Sequence, residues 1–156
     1  MMLSVDDAQS AANSRMTAIR IAMLISRCME IWSGSERDPE TVLIIIAVIS
    51  ITSEKFTRAG LDGELRALEN YLPLEHLQGC NVASIAAATG LNRETTRRRV
   101  EALIQTGLLI RTATGDIALP PSKVQQPAAA QLVRRQLDSI VRFANDLLRD
   151  GVLKVE

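Results

Sequence analysis

Apolar residues recur at intervals of three and four along most of the chain, which is the period of an α-helix. The first helix is predicted to begin after Ser4 as its N-cap, with Asp6 and Asp7 in the first turn, and to end near Trp32. The segment SGSERDP, residues 33–39, then breaks the pattern. The second half of this helix is apolar almost all the way round, so we expect it to be buried on several sides, in a core or against another subunit.

A second helix is predicted to begin at Asp38-Pro39-Glu40, which supplies a capping acid, a proline at the first helical position and an acid in the first turn. The following TVLIIIAVIS is rich in β-branched residues and is also compatible with a strand. We favour a helix, because the start signal is specific and the pattern continues toward Lys55 without a turn residue.

Two segments outside the main helices are predicted from their breaker residues. Gly60 and Gly63 flank a shorter helical segment, LDGELRALENYL, which ends near Pro73. PPSKVQQP, residues 120–127, is predicted to be a stiff connector.

Residues 81–119 carry a short helix, a turn, a longer helix and a hairpin. Asn81 is placed to cap VASIAAAT, Gly90 to end it in a left-handed conformation, and Asn92 to cap the next helix. In that next helix one side is predicted to face the core, and it consists of Thr96, Val100, Leu103 and Ile104. LLIRTA and IALP, joined by a turn at residues 114–116, indicate a two-stranded β-hairpin.

The last helix is predicted to open at Pro127 and to close at Gly151. Its apolar stripe advances in steps of three and four, as in a coiled-coil seam, and consists of Ala130, Val133, Leu137, Ile140, Ala144 and Leu147. We therefore expect a homodimer formed mainly by the N-terminal helix, with a contribution from residues 127–150.

Charge is distributed unevenly although the net charge is zero. Residues 1–75 carry 7 basic and 11 acidic side chains, residues 76–111 carry 5 and 2, and residues 112–156 carry 6 and 5. The middle of the chain is therefore its basic part, and a local excess of cations is what a polyanionic partner contacts.

Other chemistry is weakly represented. His76 is the sole histidine, and Cys28 and Cys80 are far apart without a CxxC partner, so we predict no metal, no cofactor and no enzymatic activity. No Gly-rich phosphate loop or nucleophile motif is present. The start of the chain lacks the pattern of a signal peptide, and the apolar run at residues 41–51 is too short to cross a bilayer, so we expect a cytoplasmic protein without a membrane partner.

The order short helix, glycine turn, basic helix and hairpin is that of a winged helix-turn-helix, and TGLNRETTRRRVEALIQTGLLIR resembles the turn and recognition helix of bacterial winged-helix transcription regulators. The part LNRETTRRRVEALIQTGLL is similar to the GntR-type box, with Asn92, Arg93, Thr95 and Arg97 at its characteristic positions. Long helices on both sides are more like the MarR-type layout, in which terminal helices form the dimer. The resemblance implies a transcription regulator associated with the nucleoid.

The expected fold is mainly α-helical: a winged helix-turn-helix with a three-helix core and a hairpin wing, plus long terminal packing helices. The expected regions are an N-terminal association helix over 1–37, a DNA-binding domain over 38–120, and a linker with the C-terminal packing helix over 121–156. The expected partners are double-stranded DNA and a second copy of the chain. The operator, the direction of regulation and any small-molecule effector stay open.

Recognition helices read base edges in the major groove, where arginine makes bidentate contacts to guanine and threonine meets a thymine methyl group. The candidate DNA-binding residues are Asn92, Arg93, Thr95, Thr96, Arg97, Arg98, Arg99, Arg111, Thr112 and Thr114. We expect Arg93 and Arg97 to meet base edges or adjacent phosphates and Arg98 to reach into the groove. Arg99 is expected to contact a phosphate. The wing residue Arg111 is expected to contact the DNA backbone or the minor groove.

Two alternatives remain for the basic helix. It is a solvated face if Glu94 pairs with Arg98 and Arg97 pairs with Glu101 at four-residue spacing. It belongs to a protein–protein interaction module if an acidic segment from residues 1–75 covers it.

Overall fold

The computed structural model describes residues 1–34 and 37–156; Ser35 and Glu36, in the predicted break, lie outside the described residues. The described chain is mainly helical, with two small antiparallel sheets and two single 3₁₀ turns, Gly63–Arg66 and Leu74–His76. In chain order its helices and strands are β1 Leu3–Val5, α1 Asp7–Ala12, α2 Ser14–Ser33, α3 Pro39–Ala59, α4 Val82–Thr89, α5 Arg93–Gln105, β2 Ile110–Arg111, β3 Ile117–Ala118, α6 Pro121–Val124, α7 Pro127–Arg149 and β4 Leu153–Val155.

The chain divides into two compact units, Met1–Ser35 with Gln131–Glu156, and Glu36–Ala130. The N-terminal and C-terminal helices, which were predicted to form separate regions, therefore share one unit. We call them the terminal unit and the central unit.

The central unit is built on α3, whose predicted start is confirmed. The Asp38 carboxylate accepts hydrogen bonds from the amides of Glu40 and Thr41, and Pro39 occupies the first turn. The β-branched run is helical, as predicted. Local preference alone leaves helix and strand similar in free energy here, and packing of the buried side chains favours the helix. Its inward side chains belong to a core that α4, α5 and the hairpin complete, and the members of that core include Ile44, Val48, Ile85, Val100, Leu103, Leu109 and Ile117.

The predicted α4–turn–α5 arrangement is confirmed in its local chemistry. Asn81 and Ser84 form a reciprocal capping box at the start of α4, and Gly90 ends that helix with φ of 73°. Asn92 caps α5 by accepting from the amides of Glu94 and Thr95. The helix-to-helix turn is thus fixed by side chains that the sequence places at each end.

The predicted hairpin is also present, with Ile110 opposite Ala118 and Arg111 opposite Ile117. Residue 80 extends it, because the Ile117 amide donates to the Cys80 carbonyl at 2.8 Å. The Asp116 carboxylate accepts from the Cys80 amide at 3.1 Å. These bonds tie the base of the hairpin to the start of α4.

Two local predictions are wrong, and a third segment contains a helical turn that was not predicted. Ser4 lies in β1 and does not cap a helix; Asp6 caps α1 instead, and a break at Asn13 separates α1 from α2. The segment LDGELRALENYL forms only the 3₁₀ turn at Gly63–Arg66. Most of its side chains are exposed, so no apolar face packs on the core and stabilises a longer helix. The connector at 120–127 contains the one-turn helix α6.

The terminal unit pairs α2 with α7 in antiparallel orientation. The Gln136 amide donates to the Cys28 carbonyl at 3.2 Å near one end, and Arg20 bonds Asp146 and Asp150 near the other. The predicted span of α7 and the predicted end of α2 are confirmed within two residues. Strands β1 and β4 pair antiparallel, so the two ends of the chain meet.

Candidate functional site

Two arginines on α5 are exposed and without ion-pair partners in the part of the chain that the structure describes, and these are Arg93 and Arg98. Arg93 is the first residue of the helix and follows the capping Asn92. Arg98 lies opposite the buried Thr96 and Val100 side of α5. The N-terminal half of α5 therefore presents two free guanidinium groups beside a helix terminus whose dipole favours anions.

Arg97 is paired within its own helix. Its guanidinium bonds both carboxylate oxygens of Glu94, at 3.0 and 2.6 Å. The hydrogen bond from Arg97 lowers the pKa of Glu94, and Glu94 in turn raises the pKa of Arg97. Because both groups are well exposed, the pair contributes little to stability and leaves the Arg97 side chain accessible from solvent.

Arg99 joins α5 to the start of α3. Its guanidinium lies 3.0 Å from the Asp38 carboxylate and 2.6 Å from that of Glu40. The Thr41 hydroxyl, which donates to Asp38 at 2.7 Å, is the largest influence lowering the pKa of Asp38, and the Arg99 charge adds to it. Arg99 therefore has two carboxylate partners, an arrangement that favours a structural link over the phosphate contact predicted for it.

The hairpin residues are bonded mainly to one another. Arg111 pairs with Glu101 of α5 and donates to the Gly115 carbonyl at 3.3 Å. The Thr114 hydroxyl donates to the Asp116 carboxylate at 2.8 Å, and the Thr112 and Thr114 hydroxyls lie 3.0 Å apart. These bonds tie the hairpin to α5 and close its turn, and Arg111 and Thr114 are still exposed.

The two threonines at the start of α5 differ. Thr95 is half-buried at the surface, whereas Thr96 is fully buried and its hydroxyl donates to the Asn92 carbonyl at 2.9 Å. Thr96 therefore cannot contact DNA, and its place among the candidate DNA-binding residues is wrong. It belongs to the core side of α5, which its spacing with Val100 also indicated.

The expected ion pairs of a solvated face are replaced by others. Glu94 bonds Arg97 rather than Arg98, and Glu101 bonds Arg111 rather than Arg97. The sequence did not indicate Asp38 and Glu40 as partners of Arg99, and it indicated Glu101 as a partner of Arg97 rather than of Arg111. Only the Asp38 cap was visible in the sequence, because the other contacts depend on how α3 and the hairpin pack on α5.

A second surface lies in the terminal unit, where apolar side chains are exposed on both long helices. We call it the association face, and its members are Ala18, Ile21, Ala22 and Ile25 of α2 with Val133, Leu137, Ile140 and Val141 of α7. No charged residue interrupts it. An uncharged exposed surface along two helices is typical of a protein–protein contact.

Helix phase places both halves of this face on one side of the helix pair. Residues Leu24 and Cys28 face α7, and Ile25 follows Leu24 by one position. On α7 the packing residue Gln136 is likewise followed by Leu137. One position rotates a helix by about 100°, and in antiparallel helices the same rotation points to the same side. The association face is therefore continuous across α2 and α7.

Comparison with known proteins gives no match: no family model, curated protein or solved structure resembles the chain significantly. Within residues 1–34 and 37–156, no helix has the length and apolarity to cross a membrane. In the same residues, histidine, cysteine and acidic side chains form no group of three that could hold a metal ion.

Proposed function

We propose that the chain is a sequence-specific, double-stranded DNA-binding transcription regulator of the winged helix-turn-helix class, with α5 as its recognition helix. The observation that carries this proposal is the pair of unpartnered arginines, Arg93 and Arg98, on the exposed N-terminal half of α5. Guanidinium groups in this position suit bidentate contacts to guanine, and the capped helix start suits a phosphate. The order of α4, α5 and hairpin and the GntR-like box support the same class.

The other candidate arginines differ in the number of carboxylates with which they pair. Arg97 and Arg111 each pair with one carboxylate at the surface, and solvent screening makes such pairs weak, so a phosphate displaces them at small cost. Arg99 holds two carboxylates. We therefore assign DNA contact to Arg93, Thr95, Arg97, Arg98 and Arg111, and leave Arg99 to the packing of α5 on α3.

We propose further that the protein acts as a homodimer through the association face. A stable dimer buries roughly 800 Å² on each partner, and two adjacent helices of 20 and 23 residues offer a surface of that order. Charge is absent from the face, so it suits an equally apolar partner, and an identical copy meets that condition by symmetry. Two copies would join four helices into a bundle.

The protein–protein alternative is supported by a specific observation: Asp38 and Glu40, from the acidic first half of the chain, cover Arg99. They cover no other arginine of α5. A module that contacts only proteins would leave Arg93 and Arg98 without effect on DNA.

Selection of bound sequences from a random duplex pool tests the proposed function. We expect enrichment of a two-fold symmetric site with half-sites about one helical turn apart, which is roughly 10 base pairs. Arg98→Ala should relax the preference at one base pair, whereas Arg111→Ala should weaken all sequences by a similar factor. A pool that stays random for the parent protein at low salt would favour the protein–protein alternative.

A further inference from the structure

A pocket of about 110 Å³ lies between α2 and α7, on the side of the helix pair opposite the association face. Its position follows from helix phase. On α2, Met23 and Arg27 come one position before Leu24 and Cys28, which face α7. On α7, Arg142 comes one position before Phe143. The residues that line it are Arg20, Met23, Leu24, Arg27, Ser139, Arg142, Phe143 and Asp146. A dimer formed through the association face leaves this pocket open to solvent.

The charges in the pocket do not balance. Arg20 is neutralised by Asp146 at 3.1 Å and by Asp150 at 2.8 Å. Arg27 and Arg142 have no ion-pair partner among the described residues. With Asp146 committed to Arg20, the lining keeps two guanidinium groups whose charge is not compensated.

The remaining lining is apolar or already bonded. Met23, Leu24 and Phe143 supply hydrocarbon, thioether and aromatic surface. The buried Ser139 hydroxyl donates to the Arg135 carbonyl at 3.1 Å, so the arginines are the donors left for a ligand. Arginine binds carboxylates with two parallel hydrogen bonds, and the apolar surface favours a ligand with a hydrocarbon part.

We propose that this pocket binds a small monocarboxylate whose short hydrocarbon part packs on Met23, Leu24 and Phe143 while Arg27 and Arg142 hold the carboxylate. Size sets the class of ligand. A cavity of about 150 Å³ accommodates benzene, so 110 Å³ with an open mouth accommodates a chain of a few carbons. Inorganic phosphate would meet the same arginines but would leave the apolar surface unused.

Pentanoate is a suitable probe, with uncharged pentanamide and inorganic phosphate as comparisons. The full-length protein carrying ¹³C-labelled methionine methyl groups is titrated with each, and the shift of the Met23 signal is followed by NMR. A dissociation constant of about 1 mM, which is roughly −4 kcal/mol, lies well within the affinity that a ligand of this size can reach. We expect pentanoate to bind at least tenfold more tightly than pentanamide or phosphate.

Substitutions distinguish the pocket from general charge attraction. Arg27→Ala and Arg142→Ala should each weaken pentanoate about tenfold, while Arg135→Ala, an exposed α7 arginine outside the pocket, should change it less than twofold. Circular dichroism melts establish that the variants are folded. The proposal is overturned if pentanamide or phosphate binds as well as pentanoate, if pentanoate leaves Met23 unshifted, or if Arg135→Ala weakens binding as much as the pocket variants. Because the readout needs neither DNA nor a second copy, its outcome is independent of the proposed function.

Discussion

The two units use similar apolar helices in opposite ways. In α3 of the central unit, Val42, Ile44 and Val48 are fully buried. In α2 of the terminal unit, Ile21 and Ile25 are 42 % and 58 % exposed. The side of α3 that carries Ile44 and Val48 packs in one core with α4, α5 and the hairpin, whereas Ile21 and Ile25 lie on a side of α2 that α7 does not cover. An apolar sequence thus specifies burial without specifying whether the same chain or another copy provides it.

The largest expected effect tests the core of the central unit. Ile85→Ala, at a fully buried position, should lower the free energy of unfolding by about 2–5 kcal/mol, because it removes contacts and leaves a cavity. Ile25→Ala, at an exposed position, should cost less than about 0.5 kcal/mol when the protein is monomeric. Urea unfolding at low protein concentration measures both. Equal losses would mean that Ile25 is buried within the single chain and that the contrast between the units is false.

The next effect tests the association face with a matched pair of isoleucines. Ile21 and Ile19 are similarly exposed, at 42 % and 46 %, but only Ile21 lies on the association face. Ile21→Glu should weaken dimerisation about a hundredfold or more, since it places an unpaired charge in an apolar contact. Ile19→Glu should leave the dimer intact.

Light scattering across a concentration series measures the dimer. The parent protein should show twice the chain mass at tens of micromolar, and Ile21→Glu should show the single chain mass. A monomeric parent would exclude the proposed dimer. If Ile19→Glu weakened dimerisation as much as Ile21→Glu, the interface would have to include another side of α2.

The structure of the central unit could be predicted from the sequence more completely than that of the terminal unit, because its elements depend more on local contacts. The caps Asp38, Asn81 and Asn92 act on amides within three residues, so α3, α4 and α5 could be placed from local sequence. The strand pair β1 and β4 joins residues about 150 positions apart, and nothing within either short segment indicates its partner. The sequence around Ser4 is compatible with a helix cap and with a strand. Pairing with the distant strand β4 selects the strand.

The candidate site shows the same limit. The exposure of Arg98 and the burial of Thr96 follow from the helical period, so the sequence contained them. The pairs Arg99–Asp38 and Arg111–Glu101 join different elements and arise only when those elements pack. The number of arginines along the sequence therefore overstates how many lack an ion-pair partner in the folded chain.

A smaller effect tests that division between free and paired arginines on DNA. Arg98→Ala should cost roughly 1–3 kcal/mol on the selected site, because its unpaired guanidinium faces solvent. Arg99→Ala should leave the salt dependence of binding unchanged and instead lower the free energy of unfolding, since it leaves Asp38 and Glu40 without their cation. Fluorescence anisotropy across a salt series and urea unfolding give the two readouts. A salt slope reduced by about one unit in Arg99→Ala would return Arg99 to phosphate contact.

The smallest effect is a pH dependence that Asp38 adds to the central unit. The hydrogen bond from the Thr41 hydroxyl is the largest influence holding the pKa of Asp38 below its ordinary value of 3.8. A carboxyl group whose pKa is lower in the folded state stabilises that state above its unfolded pKa, and the contribution is lost as the pH falls through the folded value.

Asp38→Asn keeps a capping side chain but does not titrate, so it should reduce stability slightly at pH 7 and flatten the loss of stability below about pH 4. Urea unfolding from pH 7 to pH 3 measures this, with Asp62→Asn as the control because Asp62 makes no capping hydrogen bond through its side chain. If both variants lose stability with pH as steeply as the parent, the acid sensitivity arises elsewhere and the hydrogen bond from Thr41 does not hold the pKa of Asp38 down.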